Sequence, residues 1–285
     1  MQRCKKIAEL RGAVRVKRQA GQHIVFVPTM GNLHDGHISL VRKAREISDF
    51  VVVSIFVNPL QFGENEDLDN YPRTLEEDQA KLQREGASLL FIPGTEEMYP
   101  GGQQGMTTVS VPELNGILCG ESRPIHLDGV TTVVCKLFNA VQPDTAVFGE
   151  KDFQQLFLIR KMVSDLSLPV EIVGAPIMRE KDGLAMSSRN RYLTSSEREL
   201  APALSRVLAE TRDRCEGHGT DTVMLSQAEQ QAKTVLEEIG FKVDYVQIRD
   251  TETLLSPSAQ SKKLVLLAAA SLGSTRLIDN MTFTA

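Results

Sequence analysis

Short apolar runs alternate with mixed stretches over the first 175 residues of the chain. The runs are rich in β-branched and aromatic residues, which is typical of parallel strands buried on both faces. Between the first two runs, Ile38, Val41 and Ala44 recur at the spacing of one helix face. Strands that alternate with helices predict βαβ units and a parallel, Rossmann-like sheet. The predicted strands cover residues 24–27, 50–57, 88–92, 145–148 and 170–173.

The pattern changes near residues 175–177, where we place a domain boundary. Thr194 and Glu197 form a capping-box pair that predicts a polar helix to about residue 214, and Gly240 predicts the end of a second helix. Strand-like runs follow at 241–249, 264–270 and 275–281. The predicted fold class is therefore α/β, with a Rossmann-like parallel sheet domain over 1–176 and a smaller C-terminal α+β lid domain over 177–285.

Composition narrows the class of protein. A chain of 285 residues is long enough for about two domains, and 41% hydrophobic with 24% charged residues is ordinary for a soluble globular protein. The net charge of −5 argues against nucleic-acid binding, which needs a basic face. No apolar run approaches the ~20 residues that span a bilayer, and the N-terminus lacks the apolar core of a signal peptide. We therefore expect neither a nucleic-acid nor a membrane partner.

The cysteines indicate a compartment. The chain has four, at Cys4, Cys119, Cys135 and Cys215, and none forms a C-x-x-C pair or a metal-binding spacing. This pattern predicts free thiols in a reducing environment, and so a cytoplasmic location.

Two histidines follow the first predicted strand. His34 and His37 stand where a helix is predicted to begin, and Gly31 and Gly36 let a ligand approach the backbone closely. Helix N-termini present unpaired N–H groups and partial positive charge, so they attract phosphate. The alternatives are a metal pair and surface histidines. A zinc site needs further ligands at suitable spacing, and none lies near in sequence. We therefore favour contact with phosphate.

Three segments rich in polar residues follow three predicted strands, at 28–37, 58–63 and 149–155. Ligands of parallel sheets bind beyond the carboxyl ends of the strands, so we expect these segments to meet in one cleft. Gln61 can donate and accept, which suits a hydroxy acid, although a turn residue satisfied by the backbone is an equal alternative. The charge of Lys151 suits contact with phosphate, and Asp152 could accept a hydrogen bond from a ribose hydroxyl. The alternative is a solvated helix start in which Asp152 is the N-cap.

A second cationic segment, 186–191, lies near the predicted boundary and follows Arg179 and Lys181. Arg189 offers a bidentate grip on phosphate, and the location favours a loop that closes over a triphosphate. A Ser-rich linker is the alternative. Together with the histidines, this segment predicts a nucleoside triphosphate site with chemistry at the α-phosphorus.

An acidic pair, Glu77 and Asp78, is a candidate for Mg²⁺, which prefers carboxylates together with phosphate oxygens. Thr74 and Glu77 also have capping-box spacing, which favours a structural role for Glu77 and leaves Asp78 as the candidate magnesium ligand. The segment 123–126 is either a substrate-side loop or a solvated one.

Five blocks of the sequence together resemble the pantothenate synthetases, a family of the HIGH-type nucleotidyltransferase superfamily. They span most of residues 24–193 and run in order, whereas the C-terminal third carries less of the resemblance. One departure is Arg189, which stands where the superfamily's K-M-S-K-S loop has its last lysine. The blocks are PTMGNLHDGH from 28, FVNPLQFG from 56, DLDNYPRT from 67, FGEKDFQQ from 148 and DGLAMSSRN from 182.

The resemblance implies an ATP-dependent ligase that condenses (R)-pantoate with β-alanine through a pantoyl-adenylate and releases AMP and pyrophosphate. It implies ATP with Mg²⁺, a homodimer, and a first domain that binds nucleotide and pantoate. His37 would donate a proton, with His34 as the second catalytic residue. Gln61 and Gln155 would bind pantoate, and Gln61 would also border β-alanine. The implied ATP-binding residues are Met30, Gly31, Asn32, Leu33, His34, Asp35, Gly36, His37, Gly149, Glu150, Lys151, Asp152, Met178, Met186, Ser187, Ser188 and Arg189.

Other functions share part of these features. A plain nucleotidylyltransferase has the histidine pair but needs more basic residues for a second phosphate, and the region around Gln61 offers an amide and few cations. A tRNA-charging enzyme fits poorly with the acidic balance and the absence of an anticodon-binding extension. A non-catalytic nucleotide sensor is a further alternative.

Overall fold

The computed structural model describes residues 1–63 and 66–285 and divides into two compact units. Unit 1 comprises Met1–Glu150 and Gln154–Pro176, and unit 2 comprises Lys151–Phe153 and Ile177–Ala285. In unit 1 a parallel sheet has the strand order β1-β4-β3-β2-β5-β6. Its strands are β1 Gln2–Cys4, β2 Ile24–Thr29, β3 Phe50–Ile55, β4 Leu89–Phe91, β5 Thr145–Gly149 and β6 Glu171–Ala175.

Helices pack on both faces of this sheet. Val25 and Val27 of β2 belong to one hydrophobic cluster with Val41 of the following helix. Phe26 between them points to the opposite face, where its ring lies 6.4 Å from that of Phe138. The central strands are thus buried on both sides, as their unbroken apolar sequence predicts. The helices are α1 Ile7–Gln19, α2 Asp35–Ile47, α3 Leu75–Arg84, α4 Thr95–Met98, α5 Cys119–Ser122, α6 His126–Val141 and α7 Phe153–Asp165.

Strand order decides where the polar segments begin. β3, β2 and β5 are neighbours and run parallel. The chain segments that leave their carboxyl ends therefore start at the same edge of the sheet, and these are the segments that carry the histidines, Gln61 and Glu150.

Unit 2 contains an antiparallel sheet in the order β7-β8-β9, packed against helices. Its core is formed by Leu204, Leu208, Leu236 and Leu266 with their neighbours. The elements are α8 Ser195–Leu200, α9 Ala203–Cys215, α10 Thr222–Ile239, β7 Lys242–Asp250, β8 Lys263–Leu272 and β9 Thr275–Thr284. The predicted fold class, a Rossmann-like sheet domain with a smaller C-terminal α+β domain, is confirmed.

Two local predictions are wrong, and strand β1 was not predicted. The helix predicted to reach about residue 214 is broken between α8 and α9 at Pro202, which cannot donate to a preceding turn. Thr74 makes no cap hydrogen bond, so its predicted capping box with Glu77 does not form. The capping box of Thr194 and Glu197 is confirmed.

Among the described residues, no helix combines the length and the apolarity needed to span a bilayer.

Candidate active site

The N-terminus of α2 carries both histidines. His34 is the N-cap residue, and its Nδ1 accepts a hydrogen bond from the backbone N–H of Gly36 at 3.1 Å. His37 lies in the first turn, and its Nδ1 accepts from the backbone N–H of His34 at 3.4 Å. The ring centroids lie 4.2 Å apart and the planes are tilted by 50°. The pair thus forms a reciprocal cap of the kind usually built from Ser or Thr and Glu.

This cap decides which nitrogen of each ring carries the proton. A nitrogen that accepts from a backbone N–H holds a lone pair, so the neutral ring has its proton on Nε2. Both half-buried imidazoles therefore present Nε2–H donors at a helix N-terminus. The N–H groups of the first turn and the helix dipole already favour an anion there. This set of donors suits a phosphate group.

The loop between β2 and α2 makes a tight left-handed turn. Gly31 has a φ of 86° and Asn32 a φ of 52°. A Cβ on Gly31 would lie 3.0 Å from Cγ2 of Ile55 and 3.2 Å from Oδ2 of Asp78. Both backbone conformation and space therefore require glycine at this position.

Asp78 of α3 fixes this loop. Its side chain is buried, and its two oxygens accept from the N–H of Asn32 at 2.8 Å and of Leu33 at 2.7 Å. The hydroxyl of Thr74 donates to the same carboxylate at 3.2 Å. Lys81, one turn further along α3, donates to the carbonyl of Leu33 at 2.7 Å. Carboxylate and ammonium together clamp the segment that leads into the histidines.

Gln61 lies in the 3₁₀ turn Pro59–Gln61 after β3. Its Nε2 donates to Sδ of Met30 at 3.3 Å, and its Oε1 accepts from Nδ2 of Asn58 at 3.1 Å. Asn58 is itself held by the hydroxyl of Tyr99, which donates to Oδ1 at 2.6 Å. Burial raises the pKa of Tyr99, so this hydroxyl keeps its proton at neutral pH. Gln61 is thereby oriented towards the segment that begins at Met30.

The backbone carbonyl of Gln61 is also held. Nη2 of Arg123 donates to it at 3.3 Å, and Nδ1 of His126 lies 2.9 Å away. Arg123 also makes two hydrogen bonds to the carboxylate of Glu66, at 2.6 and 2.5 Å. Burial pushes the pKa of Glu66 up, but the hydrogen bonds and charge of Arg123 outweigh it and hold that pKa below its ordinary value. The 123–126 segment thus supports Gln61.

Close packing of α6 completes this support. Gly129 lies directly against the turn, and a Cβ there would overlap the carbonyl of Leu60 and lie 2.8 Å from Cα of Gln61. The carbonyl of Gly129 also accepts from Nδ2 of Asn58 at 3.1 Å. The absence of a side chain at Gly129 lets the helix backbone touch the turn.

Gln155, the second residue expected to bind pantoate, is half-buried near the start of α7. Its neighbour Gln154 is 5% exposed and has structural partners. Gln154 accepts from the N–H of Cys119 at 3.0 Å and donates to the carbonyl of Ile117 at 3.0 Å. Of the two glutamines, Gln155 is therefore the more accessible one.

Residues 149–152 connect β5 to α7. Gly149 ends β5, and Glu150, Lys151 and Asp152 form a 3₁₀ turn. Asp152 is exposed and Lys151 is half-buried. The backbone carbonyl of Lys151 accepts from Nδ2 of Asn280 on β9 at 2.9 Å.

A hairpin-like turn in unit 2 precedes the serine-rich segment. Arg179 and Ala185 form an antiparallel bridge, and the N–H of Met186 donates to the carbonyl of Met178 at 2.9 Å. The turn contains Gly183, whose φ is 92°. Met178 and Met186, both expected at the nucleotide, are thus paired with each other.

The 3₁₀ helix Ser188–Tyr192 follows, with Ser187 as its N-cap. The Ser187 hydroxyl accepts from the N–H of Arg189 at 3.3 Å, and Asn190 donates to the carbonyl of Ala185 at 3.0 Å. Residues 186–189 are half-buried. This local order argues against a flexible Ser-rich linker.

Within the described residues, no group of three or more His, Cys, Asp or Glu side chains is arranged to hold a metal ion. The four cysteines are free.

Sequence reasoning missed the residues that support the site from a distance. Asn58 lies in the block FVNPLQFG that begins at residue 56, so the resemblance could have indicated it. Tyr99, Lys81 and Gly129 carry no local signal, because each acts on residues at least 40 positions away, as the Tyr99–Asn58 bond shows with its separation of 41.

The chain matches known proteins over its full length. The family model for pantoate-beta-alanine ligase matches residues 2–282. A protein of Marinobacter nauticus named pantothenate synthetase is 57% identical over 278 residues, which is 98% of each chain. A protein of Pseudomonas savastanoi with the same name is 53% identical over 100% of this chain and 99% of its own length.

Solved structures agree with the sequence comparisons. Pantothenate synthetase from Thermus thermophilus superposes with a TM-score of 0.89 at 46% identity, covering 99% of both chains. Pantoate-beta-alanine ligase from Francisella tularensis, complexed with beta-gamma ATP and beta-alanine, gives a TM-score of 0.78 at 34% identity, covering 99% of this chain and 97% of that one. The resemblance seen in the sequence blocks is therefore confirmed, and the chain belongs to the pantoate–β-alanine ligase family.

Proposed function

We propose that the protein carries out the reaction of its family, the ATP-dependent condensation of (R)-pantoate with β-alanine to give pantothenate, AMP and pyrophosphate. The observation that carries this proposal is the reciprocal histidine cap of α2, which places two imidazoles at a helix N-terminus with Nδ1 of each accepting a backbone N–H. Family membership supplies the identity of the acid and the amine.

In the first step a carboxylate oxygen of pantoate attacks the α-phosphorus of ATP, and the bond to pyrophosphate breaks. Negative charge grows on the α-phosphoryl oxygens and on the leaving group, so preorganised donors there lower the barrier. His37 would donate a hydrogen bond from its Nε2–H to this charge, and His34 would donate a second one. Leu33, held by Asp78 and Lys81, keeps the loop before both rings in place.

In the second step the amine of β-alanine attacks the carbonyl carbon of the pantoyl-adenylate, and AMP leaves. A free carboxylate acylates poorly because oxide would have to leave, and adenylation removes that barrier. Gln61 borders both organic substrates in this proposal, since its amide can donate to pantoate and accept from an amine. Its orientation by Asn58 and Met30 supports that role.

The residues proposed to contact ATP comprise two sets. In unit 1 these are Met30, Gly31, Asn32, Leu33, His34, Asp35, Gly36, His37, Gly149 and Glu150. In unit 2 they are Lys151, Asp152, Met178, Met186, Ser187, Ser188 and Arg189. The glycine turn at Gly31 and the capped turn at Ser187 support close approach of phosphate in each set. Pantoate would use Gln61 and Gln155.

Magnesium accompanies ATP in this proposal and neutralises phosphate charge. Asp78, the residue expected to contact the ion, has its carboxylate engaged by three hydrogen-bond donors. That donor set fits inner-sphere coordination poorly, so the phosphates and water would supply the ligands. No step is assigned to an ion bound by the protein.

ATP–pyrophosphate isotope exchange tests the function. Exchange that depends on pantoate is expected, because the adenylate forms reversibly before β-alanine reacts. A plain nucleotidylyltransferase would instead require a phosphorylated acceptor, and a nucleotide sensor would bind ATP without exchange. Either of those results would overturn the proposal.

Location and assembly complete the proposal. The four free cysteines favour a reducing compartment, so we place the reaction in the cytoplasm. The family resemblance implies a homodimer, and light scattering after size-exclusion chromatography should give about twice the chain mass of 31.5 kDa.

A further inference from the structure

Two adjacent polar residues are buried in the middle of β9. Asp279 is 3% exposed and Asn280 is 4% exposed. Their partners across the ladder are Ala268 and Leu267 of β8, both buried and apolar. Polar groups in such a position need hydrogen-bond partners, since an unpaired one carries a large desolvation cost.

Asp279 finds its partner in Arg179, at the base of the hairpin-like turn. The guanidinium makes a bidentate ion pair with the carboxylate at 2.6 and 2.8 Å. Arg179 also donates to the carbonyl of Gly183 at 3.1 Å and to Oγ of Ser205 at 3.0 Å. The same residue pairs with Ala185 in the bridge that precedes Met186. The carboxylate on β9 thereby fixes the turn from which residues 186–189 emerge.

Asn280 contacts a second segment of unit 2 that is proposed to bind ATP, the one that contains Lys151. Its Nδ2 donates to the carbonyl of Lys151 at 2.9 Å, and its backbone N–H donates to Oδ1 of Asp279 at 2.8 Å. Successive residues of a strand point to opposite faces. One strand thus holds Arg179 from one face and Lys151 from the other.

Stability alone does not account for this arrangement. Replacing a buried ion pair with well-packed apolar residues is often neutral or stabilising, so a buried pair is weak evidence of a contribution to stability. What the pair supplies here is geometry, because a bidentate Arg–carboxylate contact allows one orientation of both planes. The segment that this pair orients is one of two in unit 2 to which the proposed function assigns ATP, and Asn280 holds the other.

We propose that Asp279 and Asn280 are positioning residues for ATP: together they hold the 186–189 segment and Lys151 at a set spacing on one strand. This inference rests on the proposed function for the identity of the ligand. Neither side chain is assigned contact with ATP, and each acts through the segment it anchors.

The test begins with Asn280→Asp, which keeps the shape of the side chain but replaces the donor with an acceptor facing the Lys151 carbonyl. Steady-state kinetics should show a KM for ATP that rises roughly tenfold, as expected for loss of a buried hydrogen bond, with the KM values for pantoate and β-alanine within about twofold of wild type. Asn280→Ala should give the same split between substrates. Asp279→Asn, which weakens the contact with Arg179, should also raise the KM for ATP selectively.

Arg276→Ala is the matched control. It removes another Arg–Asp ion pair of β9, between Arg276 and Asp244 at 2.7 Å, which is partly exposed and lies outside the proposed site. Its KM for ATP should equal that of the wild type. Thermal unfolding of every variant shows whether the fold is retained.

Two results would overturn the inference. One is an unchanged KM for ATP in folded Asn280→Asp and Asn280→Ala proteins. The other is an equal rise in the KM of all three substrates together with a lowered Tm, which would indicate a purely structural role. Pantoate-dependent exchange in the wild type is measured first, so that failure of the proposed function is recognised separately.

Discussion

Each histidine of the pair uses its two ring nitrogens for different purposes. At both His34 and His37, Nδ1 accepts a backbone N–H of α2, which leaves Nε2–H as the donor. The cap therefore fixes the ring orientation and the tautomer together. Loss of one ring should affect chemistry more than folding.

His37→Ala removes one Nε2–H donor and one cap. We expect kcat to fall by about 10²- to 10³-fold, as for loss of a preorganised transition-state donor. The free energy of unfolding should fall by only about 1 kcal/mol, as for loss of a helix cap. Lys43→Ala, which breaks an exposed ion pair with Glu46 on α2, is the control and should keep its kcat. Wild-type turnover in His37→Ala would remove His37 from the mechanism.

Asp78→Asn tests the clamp on the loop before the histidines. The variant loses the charge that two backbone N–H groups share, so kcat should fall about tenfold and remain low at any Mg²⁺ concentration. Lys81→Ala should lower kcat in the same direction, since it removes the other half of the clamp and cannot ligate a cation. Recovery of Asp78→Asn at high Mg²⁺ would show instead that Asp78 is a magnesium ligand.

At the scale of elements, the site depends on how closely one helix approaches a turn. α6 touches the 3₁₀ turn Pro59–Gln61 through the bare backbone of Gly129. Helix and turn are further joined through Asn58, which binds both the Gly129 carbonyl and the Gln61 side chain. The orientation of Gln61 is therefore a property of the packing of α6.

Gly129→Ala should push the turn away from α6, because the new methyl group overlaps the Leu60 carbonyl. We expect the KM for pantoate to rise at least tenfold and stability to fall by about 1–3 kcal/mol, as for overpacking. Gly12→Ala on α1 is the matched control, since its Cβ meets nothing within 4 Å. That variant should be neutral or slightly stabilised. An unaltered KM for pantoate in Gly129→Ala would show that the position of this turn does not affect pantoate binding.

At the scale of the molecule, acid stability depends on carboxylates that are paired in the folded state. Glu66 is one of these, since Arg123 lowers its pKa against the opposing effect of burial. A carboxyl with a lowered folded pKa contributes its full stability above its ordinary value of 4.5. The contribution is lost as pH falls through the lower folded value.

Glu66→Gln should therefore lower the Tm at pH 7 and raise the KM for pantoate, because Arg123 also holds the Gln61 carbonyl. The Tm difference from the wild type should shrink as the pH falls below 4.5. Thermal unfolding of both proteins at a series of acidic pH values measures this Tm difference. Glu85→Gln, which breaks the surface pair with Arg42, should leave catalysis unchanged. A Tm difference that stays constant in acid would contradict the assignment.

Much of the fold was predictable because its signals are local. Short apolar runs and helical spacing indicated a parallel sheet with an α+β domain after it, and strand order then placed His34 and Gln61 at one edge. Strand β1 was missed because a strand of three residues depends on what it pairs with. The helix break had a local signal in Pro202, which the prediction overlooked. The phosphate site proposed at α2 also rests on a local signal, because a capped helix start requires only a few consecutive residues.

The partners of these local features came only from the tertiary structure. Asp78 meets the histidine loop across 45 and 46 residues, and Asn280 meets Lys151 across 129. No periodic pattern in the sequence indicates such pairs, because burial and hydrogen-bond satisfaction are properties of the folded chain. The sequence by itself thus determined the elements and the kind of chemistry. The tertiary structure decided which distant residues hold the proposed site residues in place.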